Sequence, residues 1–224
     1  MGVTFRDSWN NVVHQTTTLT VQKPTNAQTG DLLIVCIMAH HLTTQAITIN
    51  TPSGWTAIQE TDILGSSRSH MGTYWKILEA GETSWDWTEA NGKNVDACLA
   101  CLAYYGHDQS NPICASSEVA EDDGDNQVTG TGINMSRDGI LLGHFASSSA
   151  SPVTWTPPSG MTERIDQATN RPSYRDASQE VCEEVVGSGA TGSRTATASN
   201  SMNYAGAHMV GIIEAAGNPI VMMI

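Results

Sequence analysis

Apolar and polar positions along the chain fall into two patterns, and both are patterns of strands. The first is the unbroken apolar run, as in "GDLLIVCIMA" from Gly30, "ACLACLAYYG" from Ala97 and "DGILLGHFAS" from Asp138. Successive apolar side chains on a strand point to opposite faces, so such a strand is buried on both. The second pattern alternates. "SWDWTE" sets Trp85 and Trp87 against Ser84, Asp86 and Thr88, and "MGTYWKI" places Met71, Thr73, Trp75 and Ile77 on one side. "TTTLTV" from Thr16 alternates too, and its expected partner in the second half is "QVTGTGINM" near Gln127. Turn residues separate these runs at Gln28-Thr29-Gly30-Asp31, Pro52-Ser53-Gly54, Asn91-Gly92 and Pro157-Pro158-Ser159-Gly160. Strand candidates arrive roughly every 8 to 15 residues, and no long segment has helical period. The expected fold is all-β.

Four landmarks then recur in the same order. After the apolar strand comes a Thr-rich strand leading into a Pro-Ser-Gly turn, "AITINTPSGW" from Ala46 and "PVTWTPPSGM" from Pro152. A Gly-rich turn before an alternating strand follows, "AGETSWDWTEA" from Ala80 and "GATGSRTATAS" from Gly189, and then a closing apolar strand, "ACLACLAYYG" and "AGAHMVGIIEA" from Ala205. Pro52 matches Pro158 and Ala97 matches Ala205, offsets of 106 and 108 residues. Constant order and spacing predict two homologous halves. The predicted architecture is an antiparallel, jelly-roll-like β-sandwich built from both; the alternative is two tandem small β-sandwiches. The expected boundaries are an N-terminal arm at residues 1–9, repeat 1 at 10–107, repeat 2 at 108–217 and an apolar tail at 218–224.

Charge narrows the partners. A net charge of -13 with only ten Lys and Arg leaves too few clustered cations to hold phosphates, which excludes a nucleic-acid partner and disfavours anionic membranes. The start "MGVTFRDSWNN" has no basic segment followed by an apolar run, so no signal peptide is expected, and no apolar stretch reaches membrane-spanning length. Five cysteines are an odd number, and most lie in apolar runs, so buried free thiols are expected. Cys98 and Cys101 sit three apart on a strand and therefore face opposite ways.

Motifs that carry chemistry are few. "GSGATG" at Gly187–Gly192 has the dinucleotide-binding spacing, but the following "SRTATAS" is strand-like, so it reads as a hairpin turn. "EDDGDN" gathers carboxylates at Asp122, Asp123 and Asp125, a solvated acidic loop or a structural Ca²⁺ site. His14, His40, His41, His70, His107, His144 and His208 show no metal-ligand spacing, and a metal site would have to be assembled by the fold. There is no G-x-S-x-G elbow, and no cofactor is expected. Trp55 and Trp155, each near a Pro-Ser-Gly turn, are the candidates for stacking on a glycan. Val3, Phe5 and Trp9 near one end and Ile220, Val221, Met222, Met223 and Ile224 at the other are candidate interface residues, because an apolar terminus calls for a partner.

The series "GDLLI", "TPSGWT", "YWK", "AGET", "AYYG", followed by "GILL", "PPSGMTER" and "GATGSRTATA", resembles a family of duplicated β-sandwich proteins. That family is found among tailed-bacteriophage virion proteins and as modules of bacterial surface proteins. The resemblance spans about residues 10 to 215 and brings no catalytic residues with it. It implies a non-enzymatic virion protein, made in the host cytoplasm. The expected role is capsid decoration, or cement, with the major capsid protein or another virion protein as partner and a homo-oligomer as its form. A tail-tip or receptor-binding component and a carbohydrate-binding module are the alternatives.

Overall fold

The doubly apolar runs become the centres of two five-stranded antiparallel sheets. The computed structural model describes residues 2–41, 46–63, 69–121, 124–171 and 176–216. The first half contains β1 (Thr4–Thr16), β2 (Thr18–Gln22), β3 (Leu32–His40), β4 (Ile49–Asn50), β5 (Thr56–Asp62), β6 (Ser69–Ile77), β7 (Ser84–Glu89) and β8 (Val95–Tyr105). The second contains β9 (Ile113–Glu121), β10 (Gln127–Gly130), β11 (Asn134–Met135), β12 (Gly139–Ser149), β13 (Trp155–Thr156), β14 (Thr162–Ala168), β15 (Asp176–Val186), β16 (Gly189–Ala190), β17 (Arg194–Ala198) and β18 (Tyr204–Ile213).

The large sheets have the orders β1-β8-β3-β6-β5 and β9-β18-β12-β15-β14, and the small ones β2-β7-β4 and β10-β17-β13. Strand for strand the two orders correspond; β11 and β16 form a further two-stranded pair in the second half. This matched topology supports the expected duplication. The segments at Thr16 and Gln127 take equivalent places in the two sandwiches, β2 pairing with β7 and β10 with β17.

Strand β3 explains how the layers stack. Its nine residues are all buried. Leu33, Val35, Ile37 and Ala39 face the small sheet of their own half, where they meet Leu19, Val21, Trp85 and Trp87. Leu32, Ile34 and Cys36 face the other way, onto Ile140, Leu142, Val181, Val210 and Ile212 of the second half. Met38 continues that contact with Met71, Cys98, Ala146 and Ala177. The second half has its own core of Val128, Leu141, Phe145, Trp155, Ala196 and Met209. Each half is thus a small two-layer sandwich, and their five-stranded sheets stack face to face to give four layers. Both expected architectures are partly realised, since a strand apolar on both faces needs a cover on each.

The N-terminal segment departs from expectation. Residues 4–9 belong to β1, which pairs with β8 from Thr4↔Tyr105 onward, so they form an edge strand and no separate arm. Val3 is buried at the junction of the halves, and Phe5 lies edge-on to Tyr104 with the Arg164 guanidinium 4.0 Å from its ring centre. Arg164 in turn bonds Glu183 at 2.6 Å, and Glu183 also accepts from the Tyr104 hydroxyl at 2.5 Å. The Arg171 guanidinium of the second half reaches Asp96 of the first at 2.7 and 3.0 Å. Apolar and ionic contacts together join the sandwiches.

A shared interface of this kind makes the halves unfold together. Ile34→Ala removes a fully buried side chain from it and should cost about 2–5 kcal/mol. Urea unfolding followed by tryptophan fluorescence and by far-UV circular dichroism should give one coincident transition, shifted to lower urea in the variant. Two separated transitions would show that the sandwiches are independent.

Candidate functional site

Polar side chains gather in two places: between the stacked sheets, and in a cleft at the same end of each sandwich. The first set begins with Thr73, which its alternation on β6 turns toward the second half. Its hydroxyl lies 3.0 Å from His144 Nδ1 and 2.9 Å from His208 Nδ1, all three residues being fully buried. His208 Nε2 is 2.9 Å from the Thr61 hydroxyl, which bonds the Glu118 carboxylate, and His144 Nε2 is 3.1 Å from the Gln179 side-chain oxygen. The two rings meet edge to face with centroids 5.8 Å apart.

Hydrogen-bond chemistry orders this chain. A carboxylate only accepts, so Thr61 donates to Glu118 and accepts from His208 Nε2–H. Neutral His208 then accepts at Nδ1 from the Thr73 hydroxyl, whose oxygen accepts from His144 Nδ1–H. That leaves His144 Nε2 in need of a donor. The Gln179 amide nitrogen is buried without a partner, and turning the amide over presents its NH₂ to His144. Six residues on β9, β5, β18, β6, β12 and β15 are then linked in one direction. Burial pushes the His144 pKa down to about 3 and that of His208 well below the ordinary imidazole range, the latter with help from neighbouring His144 and His70. His40 Nδ1 makes a similar bridge across the sheets, 3.1 Å from both Ser69 and Ser148 hydroxyls.

The clefts lie on the opposite faces of the large sheets. In the first half, Ile47, Thr48, Ile49, Glu60, Asp62 and His70 line a volume of about 280 Å³. Asp62 is directly opposite His70 in the β5–β6 register, and Glu60 is opposite Gly72. His70 Nδ1 is 3.3 Å from Asp62 Oδ1, His70 Nε2 is 3.8 Å from Glu60 Oε1, and Tyr74 donates to Glu60 Oε1 at 2.8 Å. In the second half Val153, Thr154, Asp166 and Asn170 help line about 250 Å³. Asp166 holds the position of Glu60, and opposite it stands Glu180 in place of Gly72. Two carboxyl groups directly across a strand pair repel unless one is protonated. Burial first, then Glu163 and Asp166, push the Glu180 pKa up to about 8, so its carboxyl is protonated at neutral pH. A Cβ on Gly72 would overlap the Tyr74 ring, so the first half has no room for the same arrangement.

The sequence candidates are distributed differently. Trp55 is only 7% exposed and packs edge-on against Trp85 and Trp87, with centroids at 5.1 and 4.9 Å; Trp155 is 6% exposed in the other core. Neither presents a face to a sugar ring, which corrects their assignment as glycan platforms. A tryptophan after a Pro-Ser-Gly turn re-enters the sandwich because β5 begins at once. Val3, Phe5 and Trp9 are engaged within the molecule, Trp9 against the first core. Asp125 is exposed and accepts from the Asn126 amide at 2.6 Å, while Asp122, Asp123 and Ile220, Val221, Met222, Met223 and Ile224 lie outside the described residues. Among the described residues no three His, Cys, Asp or Glu side chains are grouped to hold a metal, and no helix is long and apolar enough to cross a membrane. Cys98 lies between the halves and Cys101 in the first core, on opposite faces as their spacing requires, and burial raises both thiol pKa values. "GSGATG" runs through β16 with no helix after it.

Sequence reasoning missed both polar sets. The signal of the first set is a polar residue inside an otherwise apolar, doubly buried strand, as His144 in "ILLGHFA" and His208 in "AHMVGII"; the cleft carboxylates lie on the mostly polar edge strand β5 and carry no such signal. Comparison with family models, curated proteins and solved structures found no match to this chain.

Opposite pH dependences follow from these groups. The unfolded chain takes up protons on His144 and His208 at pH values where the folded protein does not, so their contribution to stability is lost as pH falls from about 6.5 toward 3. Glu180 is held protonated in the fold, so its contribution is present below about 4.5 and lost as pH rises through 8. Thermal midpoints measured from pH 4 to 9 should fall at both ends. Glu180→Gln should flatten the alkaline side alone; a variant that melts like the parent at pH 8.5 would contradict the assignment.

Proposed function

We propose that this protein is a non-enzymatic structural component of a virus particle, and that it works by docking on an assembled shell and stabilising it. The observation that carries this reading is the way the chain uses its polar groups. The buried histidines and hydroxyls bond to one another across the stacked sheets, which makes the two sandwiches a single stiff body. A stiff β-body suits a role in which binding itself is the work, and the resemblance of the repeated motifs to duplicated virion sandwiches points the same way.

Docking has an available element. Among the described residues β1 is 13 residues long and pairs on one side only, with β8. The free side of an edge strand offers backbone donors and acceptors to another chain. Residues 218–224, "NPIVMMI", remain the candidate apolar contact. A partner that binds the assembled shell and not its free subunits raises the cost of separating those subunits by mass action. The major capsid protein is the proposed partner.

Co-sedimentation separates this from other roles. The protein should pellet with assembled shells and remain in solution with unassembled shell subunits. Purified particles should carry it in numbers comparable to the shell protein. A few copies per particle would place it in the tail, and absence from particles would overturn the proposal. Removal of residues 218–224 should weaken attachment at least tenfold while leaving the thermal midpoint within about 1 °C, an attachment loss of about 1.4 kcal/mol or more.

A further inference from the structure

The cleft of the first half contains an unpaired arrangement that the shell-binding role does not use. Asp62 can only accept, so the close His70 nitrogen, Nδ1 at 3.3 Å, carries the proton. In the singly protonated ring with that proton on Nδ1, the Nε2 atom is an acceptor. It is buried, has no hydrogen-bond partner, and faces Glu60 Oε1 at 3.8 Å. Tyr74 donates to that same oxygen, which fixes Glu60 as an acceptor as well. In that tautomer two acceptors face each other with no proton between them. His70 itself is held firmly, its side chain only 8% exposed.

This gap opens on the cleft of about 280 Å³ whose other walls are Ile47, Thr48 and Ile49. We propose that the cleft binds a primary ammonium group carried on a short alkyl stem. Three N–H donors on one tetrahedral nitrogen can meet the Nε2 lone pair of His70 and the Glu60 carboxylate, and Thr48 and Asp62 also line the cleft. The stem lies along Ile47 and Ile49, which supply apolar contact without asking for further polar partners. A guanidinium fits less well. Its planar fork seeks both oxygens of one carboxylate, and one oxygen of Glu60 already receives Tyr74. A metal ion is not favoured either, because the two nitrogens of His70 point at different carboxylates and the three groups do not converge. The net charge of -13 raises the local concentration of any cation at the surface.

The equivalent cleft in the second half supplies an internal control. Asp166 keeps the place of Glu60, but Ser178 and Ala168 stand where the register puts His70 and Asp62. The same ligand has neither the imidazole nor the second carboxylate there.

The test is a titration of ¹⁵N-labelled full-length protein with n-butylammonium, read at the His70 ring nitrogens. The expected result is a saturable shift at Nε2 on adding the amine. Tetramethylammonium, a cation without N–H donors, should produce no such shift at matched ionic strength. Glu60→Gln should weaken binding at least tenfold with an unchanged thermal midpoint, and Asp166→Asn should leave it unaltered. A lysine-containing tripeptide distinguishes the source of the ammonium. Tighter binding of the peptide assigns the cleft to a protein side chain, and tighter binding of butylammonium assigns it to a free amine. An imidazolium bonded to both carboxylates and indifferent to butylammonium would overturn the proposal. So would an equal response to tetramethylammonium, or Glu60→Gln binding like the parent. None of these outcomes depends on whether the protein attaches to shells.

Discussion

The stacking of two five-stranded sheets is the contact on which the rest of the molecule depends. Each large sheet is apolar on both faces, so neither sandwich alone could keep Ile34, Leu102, Ile140 or Val210 out of water. Burial of side chains of this size contributes roughly 1.5–3 kcal/mol each, and a free half would forgo it. The chain therefore behaves as four layers and not as two modules on a tether. At the margin the Arg171–Asp96 ion pair and the Tyr104–Glu183 hydrogen bond also cross between the halves.

Within that apolar contact the hydrogen-bonded chain through Thr73, His144 and His208 supplies register. Apolar surfaces tolerate sliding, whereas a buried imidazole that loses its partner carries a cost of about 1–3 kcal/mol. Two rings bonded to one hydroxyl accept only a narrow range of relative positions. The same dependence makes the contact sensitive to protons, because burial between the sheets disfavours an imidazolium at His144 and His208. Glu118 stands opposite His208 in the β18–β9 register and ends the hydrogen-bonded chain through Thr61.

The two clefts show what divergence does to equivalent positions. Glu60 and Asp166 occupy one place in the topology, yet the first faces Gly72 and the Tyr74 ring while the second faces Glu180. The first half keeps open space, a histidine and a second carboxylate. The second keeps a cleft of about 250 Å³ and sets a protonated acid opposite Asp166. A cleft that admits a ligand and a carboxyl group that holds a proton are two answers to the same geometric question, where to put the acceptors that a strand edge turns toward the core.

Local pattern was enough to read the fold class. Unbroken and alternating apolar runs specify which faces of a strand are buried, and glycine- and proline-bearing turns specify where strands end, so all-β structure, the doubly buried β3 and the opposed Cys98 and Cys101 were legible in the sequence alone. The partner of each face was not. Periodicity states that Thr73 and Trp75 share a side but not that His144 and His208 lie across from it, and it shows Trp55 and Trp155 near turns without showing that β5, directly after Trp55, and β13, which contains Trp155, turn them inward. The placement of Val3 and Phe5 between the halves is of the same kind, for it depends on β1 pairing with β8, where Phe5 lies opposite Tyr104. Pairing and stacking join residues distant in sequence, and only the tertiary structure decides which polar groups they bring within hydrogen-bonding distance.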